Sequence, residues 1–267
     1  MRSHQQRGAA IAFAVIAAGL VGTGCGSSSN STDSSHIRAV NVAVNAGNAS
    51  VTVNGGAIDG NLAVGQVSKY NFIGKGDSAF GFTTDVALGG LVQLRVGPTL
   101  ALNNGSYYTG YLIGRTDVTN KNTDPKFLQS VVTGDRGAAA NYSLSSPYAA
   151  PPSGSANIRI LNAAPDAGPV DVLINGKTAY AAVAYPVFPT VPVSIPPGTV
   201  APAVNPVTAY LAIPASGQTI QVNAAGTGTV LVPTSPLAIS SGNVYTVVIT
   251  EPTVTPTVTY GLLTVTD

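Results

Sequence analysis

The chain contains one sequence unit twice. Residues 158–176 read IRILNAAPDAGPVDVLING, and residues 37–55 read IRAVNVAVNAGNASVTVNG. The two stretches align without a gap, share Ile, Arg, Asn, Ala, Gly and Val at matching places, and both end in Asn-Gly. This repeat predicts two related folded units that follow one another along the chain.

Each copy carries the pattern of a strand followed by a tight turn. Apolar and polar residues alternate over 51–54 and, apart from Leu173, over 170–175, which is typical of a strand with one face on a core. The alternation ends at Asn54-Gly55 and at Asn175-Gly176. Because both residues of an Asn-Gly turn adopt positive φ, the pattern predicts a β-hairpin in each copy.

The composition favours an all-β chain. Val and Thr are strand formers, while the 30 Gly and 19 Pro residues favour turns. Only 9% of residues are charged, against about 25% in ordinary soluble domains. Many short strands with frequent turns predict two tandem antiparallel β-sandwich domains of the immunoglobulin-like kind, over residues 37–142 and 158–267.

A linker is predicted between the two domains. Residues 143–157 read SLSSPYAAPPSGSAN, and Pro, Ser and Ala without periodicity are typical of a linker. Each copy has about 110 residues, which is enough to bury a core of its own. We therefore expect two independent modules, arranged like beads on a string.

The N-terminal segment has the layout of an export signal. Arg2 and Arg7 precede an apolar run over residues 9–21, which is shorter than the ~20 residues that a membrane-spanning helix needs. The single cysteine, Cys25, follows small residues in a pattern that resembles a bacterial lipobox. The resemblance implies a lipoprotein signal peptide over residues 1–24 and lipid attachment at Cys25. The alternative is an ordinary cleaved signal with an incidental cysteine.

Residues 25–36 follow as a Ser-rich stretch that is too polar to fold, and we expect a flexible tether. Gly26 stands where lipoproteins of this type carry Asp when they stay in the inner membrane. The resemblance therefore implies an exported protein held on the outer membrane or the cell surface, with the membrane as a partner through the anchor at Cys25.

The second copy resembles the bacterial domain of unknown function 4397, a β-sandwich unit often found in tandem in exported proteins. Its matching residues are Arg159, Ala163, Pro165, Asp166, Ala167, Val170, Asp171, Val172, Asn175 and Gly176. Asn162 stands where the family usually has His, and the first copy matches less well. The resemblance implies the fold and export, and it carries no catalytic residues.

Several classes of function are disfavoured by what the chain lacks. The net charge is +1, so no basic surface is expected to bind nucleic acid. The histidines are His4 and His36, neither inside a predicted domain, which argues against a Ser-His-Asp site or a histidine-rich zinc site. Glu251 is the single Glu. We predict no catalytic residue, no metal, no cofactor and no enzymatic activity.

Four charged residues invite a functional interpretation. Asp166 and Asp171 are candidate calcium ligands, but the first copy has Asn45 and Ser50 in their places. The shared property is turn formation, so we favour a structural role. Arg38 and Arg159 open the first strand of each copy, where we expect a buried or rim guanidinium that bonds a neighbouring loop.

Tyrosine clusters are a possible sugar-stacking surface. They lie at Tyr107, Tyr108 and Tyr111 and at Tyr180 and Tyr185. Strand tyrosines are more often half-buried packing residues, and the chain has no Trp.

The main difference between the copies is an insertion in the second one. Residues 186–206 read PVFPTVPVSIPPGTVAPAVNP, which is proline-rich and uncharged. It predicts either a cover over a sheet edge or a partner-binding loop. The candidate interaction residues are Pro186, Phe188, Pro189, Pro192, Pro196, Pro197, Pro202 and Pro206.

The leading hypothesis is a non-enzymatic cell-envelope lipoprotein that presents two β-sandwich modules for binding or adhesion, with an envelope protein or a glycan as partner. The alternative is a structural envelope or matrix protein that self-associates, since weak charge repulsion permits close packing. A third hypothesis is an enzyme that acts on polysaccharide, but the sequence shows no catalytic site for it.

Overall fold

The computed structural model describes residues 34–74, 76–84, 100–119, 124–135, 150–186, 207–253 and 259–267. All the regular secondary structure in these ranges consists of β-strands, which confirms the all-β prediction. No helix in the described ranges is long and apolar enough to cross a membrane.

The strands fall into two modules that correspond to the two copies. The first module contains β1 (Ser34–Asn41), β2 (Ala49–Val53), β3 (Gly56–Leu62), β4 (Asn71–Gly74), β5 (Gly76–Ser78), β6 (Phe80–Thr84), β7 (Leu100–Leu102), β8 (Tyr107–Ile113) and β9 (Gln129–Gly134). The second module contains β10 (Ser155–Asn162), β11 (Val170–Ile174), β12 (Lys177–Val183), β13 (Leu211–Pro214), β14 (Thr219–Ala224), β15 (Val230–Pro236), β16 (Val244–Thr253) and β17 (Thr259–Thr266).

Each module has two main sheets. In the first module they have the orders β4-β1-β8-β9 and β3-β2-β6, with a small β5-β7 pair beside them. In the second module the orders are β13-β10-β16-β17 and β12-β11-β14-β15. Neighbouring strands are antiparallel except for β1 with β8 and β10 with β16, which run parallel. The same parallel pair in both modules shows that the repeat extends to the topology.

The predicted hairpins are confirmed at both Asn-Gly pairs. Asn54 and Gly55 have φ of 51° and 78°, and Asn175 and Gly176 have φ of 50° and 74°. These turns join β2 to β3 and β11 to β12. The strand that precedes each hairpin, β1 or β10, lies in the other sheet of its module. Residues 158–176 therefore cross from one sheet to the other, and the hairpin occupies their second half.

Each module buries a core between its two sheets. In the first module, Ile37, Val51 and Phe80 belong to this core and are at most 1% exposed. In the second module, Ile158 and Val172 occupy matching places and are fully buried. Alternation along β2 and β11 supplies the inward face, as the period-two pattern predicts.

A third apolar cluster joins the two modules. Val40 and Tyr111 of the first module and Leu161 and Val248 of the second belong to it, and all four are fully buried. They lie on the outer faces of the sheets that contain β1 and β10. These two sheets pack face to face, and the described residues lie in one compact unit. The expectation of independent beads is therefore wrong, because each module covers an apolar sheet face of the other.

Two of the predicted segment boundaries lie inside strands. β1 begins at Ser34, within the predicted tether, and β10 begins at Ser155, within the predicted linker. Residues 143–149 of the predicted linker lie outside the described ranges.

Candidate functional site

The repeat places one arginine and one threonine side by side in each module. Arg38 is paired in register with Thr109 across the parallel strands β1 and β8, and Arg159 with Thr246 across β10 and β16. In each pair the arginine Nε donates to the threonine Oγ1 over 2.8 Å. The parallel register thus fixes both guanidinium groups on the outer faces of their sheets.

An aspartate follows the last strand of each module and completes the pair. Oγ1 of Thr109 lies 2.5 Å from Asp135 Oδ2, and Oγ1 of Thr246 lies 2.8 Å from Asp267 Oδ2. As a hydroxyl donates one proton and accepts another, each threonine connects its arginine to its aspartate.

A tyrosine covers each arginine. The guanidinium of Arg38 lies 4.5 Å from the ring centroid of Tyr70, and that of Arg159 lies 4.7 Å from the ring of Tyr210. The hydroxyl of Tyr70 donates to Asp135 over 3.0 Å, and that of Tyr210 donates to Asp267 over 2.9 Å. Burial is the main reason that the pKa of both phenols lies far above its usual value.

The four charged residues form one cluster across the boundary between the modules. Arg159 Nη2 lies 2.9 Å from Asp135 Oδ1 and 3.1 Å from Asp267 Oδ2. Arg38 Nη2 lies 3.5 Å from Asp267 and 3.9 Å from Asp135. The side chains of Arg159 and of both aspartates are fully buried. We call Arg38, Asp135, Arg159 and Asp267 the central ion cluster.

The charges of the central ion cluster indicate a structural role at the boundary between the modules. Burial and the neighbouring carboxylate of Asp267 raise the pKa of Asp135 to about 6, although both arginines and Thr109 oppose this shift. Two cations compensate two anions, so removal of one partner leaves an uncompensated buried charge. The burial of Arg38 and Arg159 agrees with expectation, but their carboxylate partners come from both modules, so each arginine also bonds across the module boundary.

A second ion cluster also joins the modules. Arg115 binds Asp117 through two hydrogen bonds of 2.6 Å and also binds Asp166 of the second module. Lys126 Nζ lies 2.6 Å from Asp166 Oδ1, and Glu251 accepts a 3.0 Å hydrogen bond from the Asp166 backbone amide. Burial acts to raise the pKa of Asp166, but Lys126 and Arg115 outweigh it and hold the pKa below its usual value.

The two candidate calcium ligands lie in different settings. The carboxylate of Asp166 is occupied by the two cations of the second ion cluster. Asp171 Oδ1 accepts a 2.8 Å hydrogen bond from the backbone amide of Ala182, which has a φ of 50°. No group of three or more metal-binding side chains occurs in the described ranges. Both contacts match the structural role that the comparison of the copies favours.

The predicted tyrosine clusters are mostly packing residues. Tyr108 and Tyr111 are 1% and 0% exposed. The hydroxyl of Tyr180 donates to Ile158 O over 2.6 Å, and that of Tyr185 lies 2.9 Å from Gln129 Nε2. Tyr107 is different, because it is partly exposed and belongs to a row of rings.

This row consists of His36, Phe72 and Tyr107, and we call it the aromatic row. The three residues are direct neighbours across β4, β1 and β8. The rings of His36 and Tyr107 are stacked, with centroids 4.1 Å apart, and the ring of Phe72 lies 4.6 Å from His36 at a tilt of 57°. Phe72 is 74% exposed, the highest value among the exposed large apolar side chains of the described residues.

The aromatic row occurs in the first module only. The matching positions of the second module, set by the same pairing registers, are Asn157, Ala212 and Val244. Sequence analysis missed the row because it assigned His36 to the tether. The three residues are far apart in sequence, and only the pairing of β1 with both neighbours brings them together. The signal that the sequence did offer is the difference between the copies, since none of the three aromatic residues is kept in the second copy.

Other predicted site residues lie largely outside the described ranges. Of the insertion over residues 186–206, only Pro186 is described, and its carbonyl accepts a 3.1 Å hydrogen bond from Gln129 Nε2. Cys25 also lies outside these ranges. Tyr185, which precedes Pro186, lines an open, mainly apolar cavity of about 220 Å³. Its lining residues come from both modules and are Pro125, Lys126, Pro165, Gly168, Pro169, Ala184 and Tyr185.

Comparison with known proteins agrees with the resemblance of the second copy. Residues 156–267 match the family model described as domain of unknown function, DUF4397. No curated protein matches the chain.

Proposed function

We propose that this chain, whose residues 156–267 belong to the DUF4397 family, is a non-enzymatic cell-envelope protein that binds an envelope component. In this proposal the first module supplies the binding surface and the second module supports it. The observation that carries the proposal is the aromatic row, with Phe72 exposed on the outermost strand of its sheet. Exposed aromatic side chains on a rigid sheet are typical of recognition surfaces.

The aromatic row is held rigidly from below. Tyr107 packs edge-on against Tyr70, with ring centroids 5.1 Å apart. Tyr70 is fixed in turn by the guanidinium of Arg38 and by its hydrogen bond to Asp135. A preorganised surface loses less conformational entropy on binding. The central ion cluster thus connects the module boundary to the proposed binding surface.

The charged groups support a binding role better than a catalytic one. The buried carboxylates of Asp135 and Asp267 and the partly exposed carboxylate of Asp166 are each engaged by arginine or lysine. Glu251 is buried beside Asp166 and Arg115. A general acid or base needs access to the substrate proton, and paired carboxylates inside a module boundary are poorly placed for that task.

Retention on isolated envelopes tests the proposed function. A Cys25→Ser variant, which removes the predicted lipid site, is incubated with sedimented envelope fragments, and bound protein is measured over a concentration series. Adding Phe72→Ala should weaken binding about tenfold, or about 1.4 kcal/mol. Val230→Ala is the matched control, because Val230 is 51% exposed on the second module. Equal loss in both variants, or in neither, would count against the proposal.

The lipid anchor is a separate part of the proposal. It is supported by the apolar run over residues 9–21 and by the single cysteine that follows it. The native chain should stay in the membrane fraction after a carbonate wash, and Cys25→Ser should be released. A Cys25→Ser variant that remains membrane-bound argues against lipid attachment.

Self-association is the second candidate function. It is favoured by the position of Phe72 on β4, an edge strand whose outer side has no partner strand among the described residues. Sedimentation velocity over a hundredfold concentration range should then show oligomers that Phe72→Ala removes. A monomer at every concentration excludes this alternative and leaves the binding proposal in place.

A further inference from the structure

We propose that the aromatic row binds an uncharged glycan of the envelope, with the open face of Phe72 as the surface on which a sugar ring packs. This inference rests on the proposed function and adds the chemical class of the ligand. It follows from the arrangement of the rings, from the charge around them and from their position in the chain.

The rings leave one large apolar face open to solvent. His36 and Tyr107 stack on each other with an interplanar angle of 9°, so these two faces are covered. Phe72 is backed on one side by His36 and is 74% exposed. A pyranose ring presents a face of C–H groups and an edge of hydroxyls. The C–H face can pack on Phe72, since aromatic rings combine a large apolar area with few side-chain rotamers.

Polar groups lie beside this face. The imidazole of His36 and the hydroxyl of Tyr107 belong to the row itself. Hydroxyl and imidazole groups both donate and accept hydrogen bonds, which matches the hydroxyl edge of a sugar.

The charge around the aromatic row favours a neutral ligand. Arg38 lies behind it, but its guanidinium faces Tyr70 and the carboxylates of Asp135 and Asp267. A phosphate or carboxylate ligand would need a cation that is free to form a charge-assisted hydrogen bond. Single-stranded nucleic acid would need a positive groove beside its stacking rings. Lys69 is an exposed cation close in sequence, so the experiment below compares neutral and acidic sugars.

The position of the row in the chain favours the envelope as the source of the ligand. His36 lies two residues after Ser34, where β1 begins. Eight residues lie between Cys25 and Ser34, and a chain of that length reaches at most about 30 Å. If Cys25 carries the lipid, the aromatic row stays within a short distance of the membrane. Polymers of the cell wall and membrane-linked glycans are the sugars within that reach.

Titration with defined oligosaccharides tests the inference. The Cys25→Ser chain is titrated by calorimetry and by chemical-shift mapping with neutral oligomers of hexoses and of N-acetylhexosamines, and with acidic oligomers of the same length. We expect a Kd near 1 mM or tighter for one neutral class and at least tenfold weaker binding after Phe72→Ala. Phe72→Trp should keep or improve binding, and Val230→Ala should leave it unchanged. A rise from 50 to 500 mM salt should alter the Kd less than twofold.

Three results overturn the inference. The first is binding of no neutral oligomer, the second is preference for acidic oligomers with loss in high salt, and the third is neutral binding that Phe72→Ala does not weaken. If envelope retention still depends on Phe72 in any of these cases, the inference fails and the proposed function stands. If envelope retention is also independent of Phe72, both fail.

Discussion

Nη2 of Arg159 lies 2.9 Å from Oδ1 of Asp135, although the two residues belong to different modules. Neither side chain is exposed to solvent. Arg159 Nη1 also donates to the carbonyl of Gly134 over 3.0 Å. The second module therefore places its buried cation in a site that the end of β9 provides. This contact makes the stability of each module depend on the other.

Arg159→Met should lower the free energy of unfolding by about 3–5 kcal/mol, because it leaves two carboxylates buried without their main cation. Urea denaturation measures this loss. Lys177→Met is the matched control, because Lys177 is exposed at the start of β12, and it should change stability by less than about 0.5 kcal/mol.

Calorimetry gives a second measure of the same coupling. The native chain should unfold in one transition, and Arg159→Met should broaden or divide it. Two separate transitions in the native chain, or a loss below about 1 kcal/mol in Arg159→Met, would show that the central ion cluster does not hold the modules together.

The raised pKa of Asp135 predicts a pH dependence with a definite sign. Its folded pKa is about 6 and its ordinary value is 3.8. Between these values the folded chain binds more protons at Asp135 than the unfolded chain, so stability from this group is greatest below pH 4 and is lost as pH rises through 6.

Chemical denaturation from pH 4 to pH 7.5 checks this sign. Burial also raises the pKa of Glu251, so the informative quantity is the difference between the native chain and Asp135→Asn. Relative to the native chain, Asp135→Asn should have the flatter profile between pH 4 and 6.5. Parallel profiles would mean that Asp135 does not titrate in this window.

The contrast between the hairpins and the module boundary shows which features the sequence could predict. Asn175-Gly176 specifies a turn through its own backbone preferences, and residues 170–174 alternate as a half-buried strand does. Both signals are local. Arg159 also occurs in the repeat, but its partner Asp135 comes from another module, and no local pattern identifies that pairing.

A weaker signal for the module boundary was present. All six residues of β9, Gln129–Gly134, are buried, and β8 is buried from Tyr108 onward. Strands covered on both faces lose the alternation of apolar and polar residues, and β9, which reads QSVVTG, shows no such alternation. Asp135 and Asp267 also follow the last strand of their modules at matching places. The sequence signal for the aromatic row was weaker still, because His36, Phe72 and Tyr107 become neighbours only through the pairing of three strands.

Asp171 provides a test that separates the structural role from calcium binding. Asp171→Asn keeps a carbonyl oxygen that can accept from the Ala182 amide, whereas Asp171→Ala removes it. We expect a loss of about 1 kcal/mol for the alanine variant and less than half of that for the asparagine variant. Thermal unfolding with calcium and with chelator should give equal midpoints. A calcium-dependent midpoint that Asp171→Asn abolishes would assign a ligand role instead.

Gly110 and Phe80 fill one site in the first core, and the second module fills the matching site with Val247 and Ile220. A Cβ atom on Gly110 would lie 2.1 Å from two carbons of the Phe80 ring. Gly110→Ala should therefore cost about 3 kcal/mol through overpacking. Gly74→Ala is the control, since its Cβ would meet nothing within 4 Å.

The two copies fill this site with different pairs of side chains, a small one with a large one in the first copy and two of middle size in the second. A second substitution should therefore compensate for the overpacking. Gly110→Val alone should destabilise the chain more than Gly110→Ala, because the valine branches toward the Phe80 ring. Adding Phe80→Ile recreates the pair of the second module and should recover most of the loss, as expected for two residues that share one packing space. Urea denaturation of the two single variants and the double variant gives the coupling. Additive losses would show that Gly110 and Phe80 do not compete for this volume.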